Sequence, residues 1–259
     1  MSSEKRVLTF TGHLIELRQR LIKSLLALVI CAGISFAFAG YLLEFLKAPA
    51  GDLLDPLYFT EATGFISSYA KIALAGGIIL AMPVLLYQGL MFITPALTRR
   101  ERKYVYLILP WAILMFVGGV AFAYFILVPP AAKFLLTWRG FAPFGGLNTQ
   151  EMVEPIITIQ SYISIATKFM VTVGIAFETP VIITLLARLG IVRPEWLSSK
   201  RKWAYILCFI VGAAITPTFD PVNQTLVAVP LIILFEMSIL LARIAYRRRK
   251  SSETDYLAG

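Results

Sequence analysis

The chain has 259 residues, of which 58% are hydrophobic and 15% are charged. Soluble domains have roughly 45–50% apolar and 25% charged residues, so this composition excludes an ordinary soluble globule and a disordered chain. The formal net charge is +9, and on so apolar a chain a basic balance is typical of loops beside anionic lipid rather than of nucleic-acid binding.

Six apolar segments follow one another along the chain and predict six transmembrane helices. They lie at about 21–46, 66–97, 104–129, 156–189, 203–215 and 222–241. The second and fourth exceed the roughly 20 residues that a span needs, whereas the fifth is much shorter. We therefore expect a single all-α integral membrane domain over residues 1–259, with long, tilted second and fourth helices and short fifth and sixth helices.

The basic residues predict the orientation of these helices. If the N-terminus is cytoplasmic, most of the 24 Lys and Arg residues fall in the N-terminal segment, the second and fourth connections and the C-terminal tail, all on the inner side. The positive-inside rule then places both termini in the cytoplasm, with residues 244–259 as a basic cytoplasmic tail.

Several prolines lie inside or at the ends of the apolar segments, where each removes a backbone hydrogen bond and bends the helix. They are Pro83, Pro95, Pro110, Pro180 and Pro230. Their spread predicts a curved, concave bundle. The alternative for any single proline is a packing kink without a mechanism.

Glu178 lies near the middle of the fourth apolar segment, where an acidic residue costs about 2.5–3.5 kcal/mol. It should face a cavity or a partner, or be protonated, unless it is only hydrogen-bonded to a neighbouring helix. Gln224 and Thr225 begin the sixth segment and could share one polar patch with Glu178. Alternatively, Asn223 caps that helix and Gln224 lies in the headgroup region. Glu236, closer to the inner surface, is expected to pair with Arg243.

Two acidic residues stand in basic surroundings on the predicted cytoplasmic side. Glu16 lies close to Arg18 and Arg20, and Glu101 lies within a run of arginines and a lysine. Local salt bridges, worth about 0–1 kcal/mol, are the ordinary explanation. If both carboxylates face one groove, each could accept a guanidinium through two hydrogen bonds, which suits a ligand with paired arginines.

Residue patterns for catalysis are missing from the sequence. It contains one histidine, and it has neither a P-loop nor a GxSxG motif nor zinc-ligand spacing. Cys31 and Cys208 each lie inside an apolar run and are expected to be packing residues. We predict a protein that is not an enzyme and needs no metal or cofactor.

Five motifs in order along the chain resemble those of the TatC family, the six-span receptor subunit of the twin-arginine protein translocase. They are HLIELRQRL at 13–21, FITPALTRRER at 92–102, AFAYF at 121–125, GIAFETPV at 174–181 and TPTFDPVNQT at 216–225. The resemblance implies a receptor in the bacterial inner membrane that binds twin-arginine signal peptides of folded cargo at its cytoplasmic face. Glu16 and Glu101 match the glutamates that take the paired arginines, and Arg18 and Phe92 match positions around the same site.

The resemblance also implies partners within the membrane. Glu178 matches an intramembrane glutamate, and Gln224 and Thr225 lie in the polar patch where TatA-like and TatB-like single-span subunits are thought to dock. Pro49, Tyr124 and Asp220 match further positions that the family uses. Self-association in a receptor complex, contact with membrane lipid and transport driven by the proton-motive force are implied in the same way, whereas nucleic acid is not.

Two other functions fit parts of the sequence. A proton-coupled transporter of small solutes or ions would use Glu178 as its titrating carboxylate, although no repeated halves are evident. A scaffold that assembles other membrane subunits would use Glu178 only as a packing contact.

Overall fold

A computed structural model of the chain describes residues 10–49, 51, 63–94, 99–137, 158–216 and 221–257. All regular elements in these ranges are helical, as the composition and the apolar segments predict. In chain order they are α1 (Phe10–Ala37), α2 (Ala39–Lys47), α3 (Gly64–Ile93), α4 (Arg99–Phe122), a π-helical turn (Ala123–Leu127), α5 (Val128–Thr137), α6 (Ile159–Phe177), α7 (Thr179–Arg188), α8 (Pro194–Ser199), α9 (Arg201–Ile215) and α10 (Pro221–Leu257).

Five helical stretches in the described part of the chain are long and apolar enough to cross a membrane. They are Gly12–Ala37, Gly64–Ile93, Tyr104–Lys133, Ile159–Arg188 and Gln224–Arg247. Each overlaps one of the predicted segments, and α9 overlaps the predicted fifth. With 15 residues α9 is about 22 Å long, short of the roughly 30 Å hydrocarbon core. Six crossings with both termini inside therefore stay a prediction.

The last helix differs from the expectation. We expected a short sixth helix followed by a separate tail, but α10 continues for 37 residues, from Pro221 to Leu257. The basic and polar residues after Tyr246 include neither glycine nor proline up to Leu257, so nothing in the local sequence ends the helix there.

Three helices continue through a proline, whereas a fourth proline lies beside a break between two helices. Helices α3, α4 and α10 continue through Pro83, Pro110 and Pro230. The fourth apolar segment is instead interrupted at Glu178, which ends α6 and precedes α7, with Pro180 in the first turn of α7. Proline is favoured at a helix start because its missing N–H needs no partner there.

Close packing of small residues joins the helices. Helix α3 packs against α1 and α6, α4 packs against α6, and α10 packs against α7 and α9. Gly77 of α3 lies so close to α1 that a Cβ atom added to it would stand 2.6 Å from the Cα of Ala32. Such approaches are typical of membrane helices, which associate through packing rather than through exclusion of water.

The buried core lies around α6, whose Ile163 and Phe169 are at most 1% exposed. Helix α1 lies at the edge of the bundle, since only 6% of the residues in its most apolar 18-residue stretch are buried within the protein. Its outer face carries exposed apolar side chains, among them Leu25 and Val29, which suit contact with lipid acyl chains.

Candidate functional site

The start of α1 and the end of α3 meet through an aromatic contact. His13 of α1 stacks on Phe92 of α3, with ring centroids 4.4 Å apart and an interplanar angle of 22°. Glu16 lies one helical turn after His13. The structure therefore brings the predicted site residues Glu16 and Phe92 to the same end of the bundle.

Glu16 is paired within its own helix. Its Oε1 accepts hydrogen bonds from Nε of Arg20 at 3.0 Å and from Nη2 of the same side chain at 2.5 Å. Arg20 Nη1 also donates to Oε1 of Gln88 on α3, at 3.4 Å. Both Glu16 and Arg20 side chains are only about one-fifth exposed, at 21% and 20%. The local salt bridge named as the ordinary explanation for Glu16 is present, and it reaches across to α3.

Glu101 begins the next helix at the same end. It lies in the first turn of α4, and its side chain is outside the described residues. Thr94 after α3 and Arg99 at the start of α4 are five residues apart in sequence, a stretch that covers at most about 18 Å. The guanidinium of Arg188, at the end of α7, lies 3.5 Å from the ring centroid of Tyr104 on α4. The start of α4 and the end of α7 are therefore adjacent.

Arg18 is on a different side of α1 from Glu16. Its side chain is exposed, and two residues along a helix turn the direction by about 200°. Arg18 therefore points away from the Glu16 carboxylate and does not share its contacts.

Glu178 is buried at the break between α6 and α7. Its side chain is 2% exposed, and within the described residues neither carboxylate oxygen has a hydrogen-bond partner. Its main-chain carbonyl accepts from the N–H of Ile182 at 2.9 Å, which continues the helical path across the break. The alternative of a carboxyl group hydrogen-bonded to a neighbouring helix finds no support among the described contacts.

The polar residues at the start of α10 bind elsewhere. Gln224 Nε2 donates to the main-chain carbonyl of Phe209 on α9 at 3.0 Å, and Thr225 is exposed. No hydrogen bond among the described residues joins either of them to Glu178, and the shared polar patch stays a prediction. Asp220 lies outside the described residues.

Tyr124 and Tyr162 bind the end of α2 at the other end of the bundle. Tyr124, in the π-helical turn, donates from its hydroxyl to the carbonyl of Phe45 at 2.6 Å and stacks on the Phe45 ring with centroids 4.3 Å apart. Tyr162 of α6 donates to the carbonyl of Leu46 at 2.5 Å. The last carbonyls of a helix have few donors within it. The Tyr162 hydroxyl supplies one to the Leu46 carbonyl, and the Tyr124 hydroxyl supplies a second one to the Phe45 carbonyl, which also accepts from the N–H of Ala48.

A cavity of about 360 Å³ lies beneath α2. Apolar side chains of α1, α2, α3 and α6 form most of its wall, including Ile34, Leu42, Ile72 and Met170. Pro49, half-buried, lies two residues after the end of α2. Tyr124 and Tyr162 therefore hold the element that covers this cavity. Sequence reasoning missed Tyr162, although a buried tyrosine hydroxyl always needs a partner and could have signalled such a contact.

Glu236 does not pair with Arg243 as expected. Arg201 Nη2 lies 2.8 Å from its Oε2, and the Tyr205 hydroxyl donates to its Oε1 at 2.7 Å. Both partners are on α9, so the carboxylate joins α9 to α10. We expected a pair one to two turns away on the same helix, but the packing of the two helices offers two donors at once.

Comparisons with known proteins identify a family and a solved structure that this chain resembles. Residues 12–230 match the family model described as "Sec-independent protein translocase protein (TatC)". The chain is 42% identical over 242 residues to the Sec-independent protein translocase protein TatC of Aquifex aeolicus, covering 93% of this chain and 97% of that protein. It is 38% identical over 250 residues to the protein of the same name from Carboxydothermus hydrogenoformans, covering 96% and 99%. A crystal structure of a twin-arginine translocase receptor, TatC, matches with a TM-score of 0.78 at 41% identity and covers 90% of this chain and 99% of that one.

Proposed function

The chain belongs to the TatC family of Sec-independent protein translocase proteins, and on this premise we propose that it binds twin-arginine signal peptides of folded proteins at its cytoplasmic face. Proteins of this family are components of a protein translocase and are not enzymes. The observation that carries the proposal is the position of the Glu16 carboxylate, held between α1 and α3 at the end of the bundle where α3 ends and the chain leads on to α4.

The proposed chemistry is the pairing of two carboxylates with two guanidinium groups. Arginine presents its N–H donors in a planar fork that fits a carboxylate, whereas lysine offers a compact charge without that geometry. Glu16 and Glu101 are the acceptors in this proposal, Phe92 with His13 forms an aromatic surface one turn from Glu16, and Arg18 acts from the exposed side of α1. Two separate acceptors favour paired arginines over a single one because both contacts form within one ligand.

Glutamine substitution of the two acids tests this proposal. Glu16→Gln and Glu101→Gln keep the shape of each side chain and remove its charge. We expect each variant to weaken binding of a synthetic twin-arginine signal peptide to the purified full-length protein, and the double variant to abolish it. Glu195, an exposed acid at the start of α8, provides the control Glu195→Gln, which should bind normally. Unchanged binding by the double variant would refute the assignment.

The proposal extends to partners and location. We place the protein in a bacterial inner membrane with six crossings and both termini in the cytoplasm, surrounded by lipid and associated with further copies of itself. TatA-like and TatB-like single-span subunits dock at Glu178, Gln224 and Thr225, and the proton-motive force drives transport. Among the described residues the Glu178 oxygens have no partner, which supports this docking, since a polar side chain of a partner helix would satisfy them.

The same carboxylate favours a second candidate function. A buried, unpartnered acid in a membrane helix is also what a proton-coupled transporter of small solutes or ions uses. Reconstitution of the purified protein alone separates the two. Flux of a solute or ion that depends on Glu178 would favour the transporter, whereas the translocase proposal expects none without partner subunits.

A further inference from the structure

A polar cleft lies between α2 and α3 at the end of the bundle where α1 ends. Its volume is about 510 Å³, and its wall includes Tyr41, Glu44 and Lys47 of α2 and Tyr69 of α3. The apolar cavity described above lies on another side of α2, where Leu42 is part of the wall. Helix α2 therefore presents an apolar side to the cavity and a charged side to the cleft.

Two opposite charges share the cleft without pairing with each other. Glu44 is exposed and Lys47 is half-buried, and residues three apart are neighbours on a helix surface. Neither side chain forms an ion pair within the part of the chain that the structure describes. A carboxylate and an ammonium group therefore remain available, side by side, to a ligand in the cleft.

The cleft lies where two helical stretches long enough to span a membrane come to their ends. Gly12–Ala37 ends at the cleft, since Ala37 is part of its wall, and Gly64–Ile93 begins shortly before Tyr69. Tyrosine is enriched at the boundary between the hydrocarbon core and the lipid headgroups. The cleft therefore lies at the level of the headgroups, whichever end of the bundle faces the cytoplasm.

An exposed apolar stripe of α1 leads from the cleft toward the middle of the membrane. Leu26, Ile30, Gly33 and Ala37 follow one another at helical spacing, and all four are exposed. Gly33 leaves a shallow depression in this stripe, because a Cβ atom added to it would meet nothing within 4 Å. An acyl chain can lie along the stripe while its headgroup occupies the cleft.

We propose that this cleft binds the headgroup of a membrane phospholipid that carries both a phosphate and an ammonium group. Lys47 pairs with the phosphate, and Glu44 pairs with the ammonium group, which only a short ethyl linker separates from the phosphate. The charges of the cleft and of the headgroup are then complementary. A lipid with a phosphate and no ammonium group would bring its negative charge close to Glu44, and this repulsion makes the site selective. The inference does not depend on the proposed binding of signal peptides.

Lipid binding to the full-length protein tests the proposal. Native mass spectrometry would follow titrations with phosphatidylethanolamine and with phosphatidylglycerol of identical acyl chains, since only the first carries an ammonium group. We expect the unchanged protein to bind phosphatidylethanolamine more tightly. Lys47→Gln should weaken binding of both lipids by about fivefold, which corresponds to the roughly 1 kcal/mol of one basic side chain at a membrane surface.

Glu44→Gln should act differently on the two lipids. Binding of phosphatidylethanolamine should weaken, because its ammonium group loses a partner. Binding of phosphatidylglycerol should stay the same or strengthen, because a repelling charge is removed. The preference between the two lipids is therefore reduced or lost. Glu44→Asp and Lys47→Arg keep both charges and should keep the preference.

Two variants outside the cleft are the controls. Lys23→Gln on α1 and Glu195→Gln on α8 each remove one charge from an exposed position, and they should leave the ratio of the two dissociation constants unchanged. An unchanged ratio in Glu44→Gln would overturn the proposal, and so would normal binding of both lipids by Lys47→Gln. If Lys47→Gln does not fold, the ratio measured for Glu44→Gln decides alone.

Discussion

Glu178 is the residue whose placement is hardest to explain by stability alone. It is 2% exposed, it lies in an apolar helix, and in the described part of the chain its oxygens have no partner. Glu236 is the opposite case, with its two oxygens bound by Arg201 and Tyr205. Glu236 therefore joins two helices. The cost of burying Glu178 is not offset by any contact among the described residues.

This contrast gives a prediction for Glu178→Gln. The substitution keeps the shape of the side chain and removes its charge, so the thermal stability of the purified protein should stay the same or rise. Breaking a paired buried carboxylate would instead cost about 3–5 kcal/mol. Co-purification of single-span partner subunits should fall, because the proposed docking needs the carboxyl group. A loss of stability together with normal co-purification would make Glu178 a structural contact.

Glu236→Gln provides the comparison. Glutamine at this position carries no charge and keeps one acceptor oxygen, so one of the two contacts loses its acceptor. Because the Arg201 side chain is more than one-third exposed, we expect a loss of about 1 kcal/mol in unfolding free energy. The same thermal unfolding measurement should therefore show a lower unfolding midpoint for Glu236→Gln and no such decrease for Glu178→Gln.

At the level of the elements, two tyrosines fix the position of α2. Tyr162→Phe removes the hydroxyl that donates to the Leu46 carbonyl and should cost about 1–3 kcal/mol in unfolding free energy. Tyr124→Phe should cost less, about 0.5–1.5 kcal/mol, because the Phe45 carbonyl keeps the N–H of Ala48 as a donor. Tyr41→Phe on the same short helix, where the ring is 75% exposed, should cost nothing measurable. Equal stability of all three variants in thermal unfolding would show that the two hydrogen bonds do not hold α2.

The crossing of α1 and α3 gives a second prediction at this level. Gly77→Ala places a methyl group against the backbone of Ala32 and should cost about 1–3 kcal/mol, since neither backbone can yield easily. Gly89→Ala, on the same helix but with open space around the added carbon, should stabilise the protein by about 0.4–1 kcal/mol. Because this crossing carries Glu16, Gly77→Ala should also weaken signal-peptide binding, whereas Gly89→Ala should not.

The sequence predicts features that depend on neighbouring residues, but not contacts between residues that are far apart along the chain. The apolar segments, the cost of Glu178 and a break near Pro180 are local properties, and the structure has helices and a break there. The partners of Glu236 and of Tyr162 lie 35 and 116 residues away, so only packing reveals them. Apolar character alone underestimates the length of α10, because a polar sequence without glycine or proline continues the helix.

At the level of the whole molecule, the described contacts divide the bundle into two ends. Near one end lie the His13–Phe92 stack, the start of α4 and the Arg188–Tyr104 contact. At the other, α2 is held by tyrosines over an apolar cavity. We propose that the first end recognises the charged part of a signal peptide and that the apolar surface between the ends accepts its apolar part.

Photocrosslinking from position 92 tests the central proposal most directly. A photoreactive phenylalanine analogue in place of Phe92 leaves Glu16 and Glu101 intact and keeps an aromatic ring against His13. The same analogue in place of Leu107, which is 69% exposed on the apolar surface, is the control. We predict a crosslink from position 92 to the signal peptide of a precursor next to its paired arginines, lost when both are replaced by lysine, and none from position 107. Equal crosslinking of the arginine and lysine precursors at position 92 would contradict recognition of paired arginines at this site.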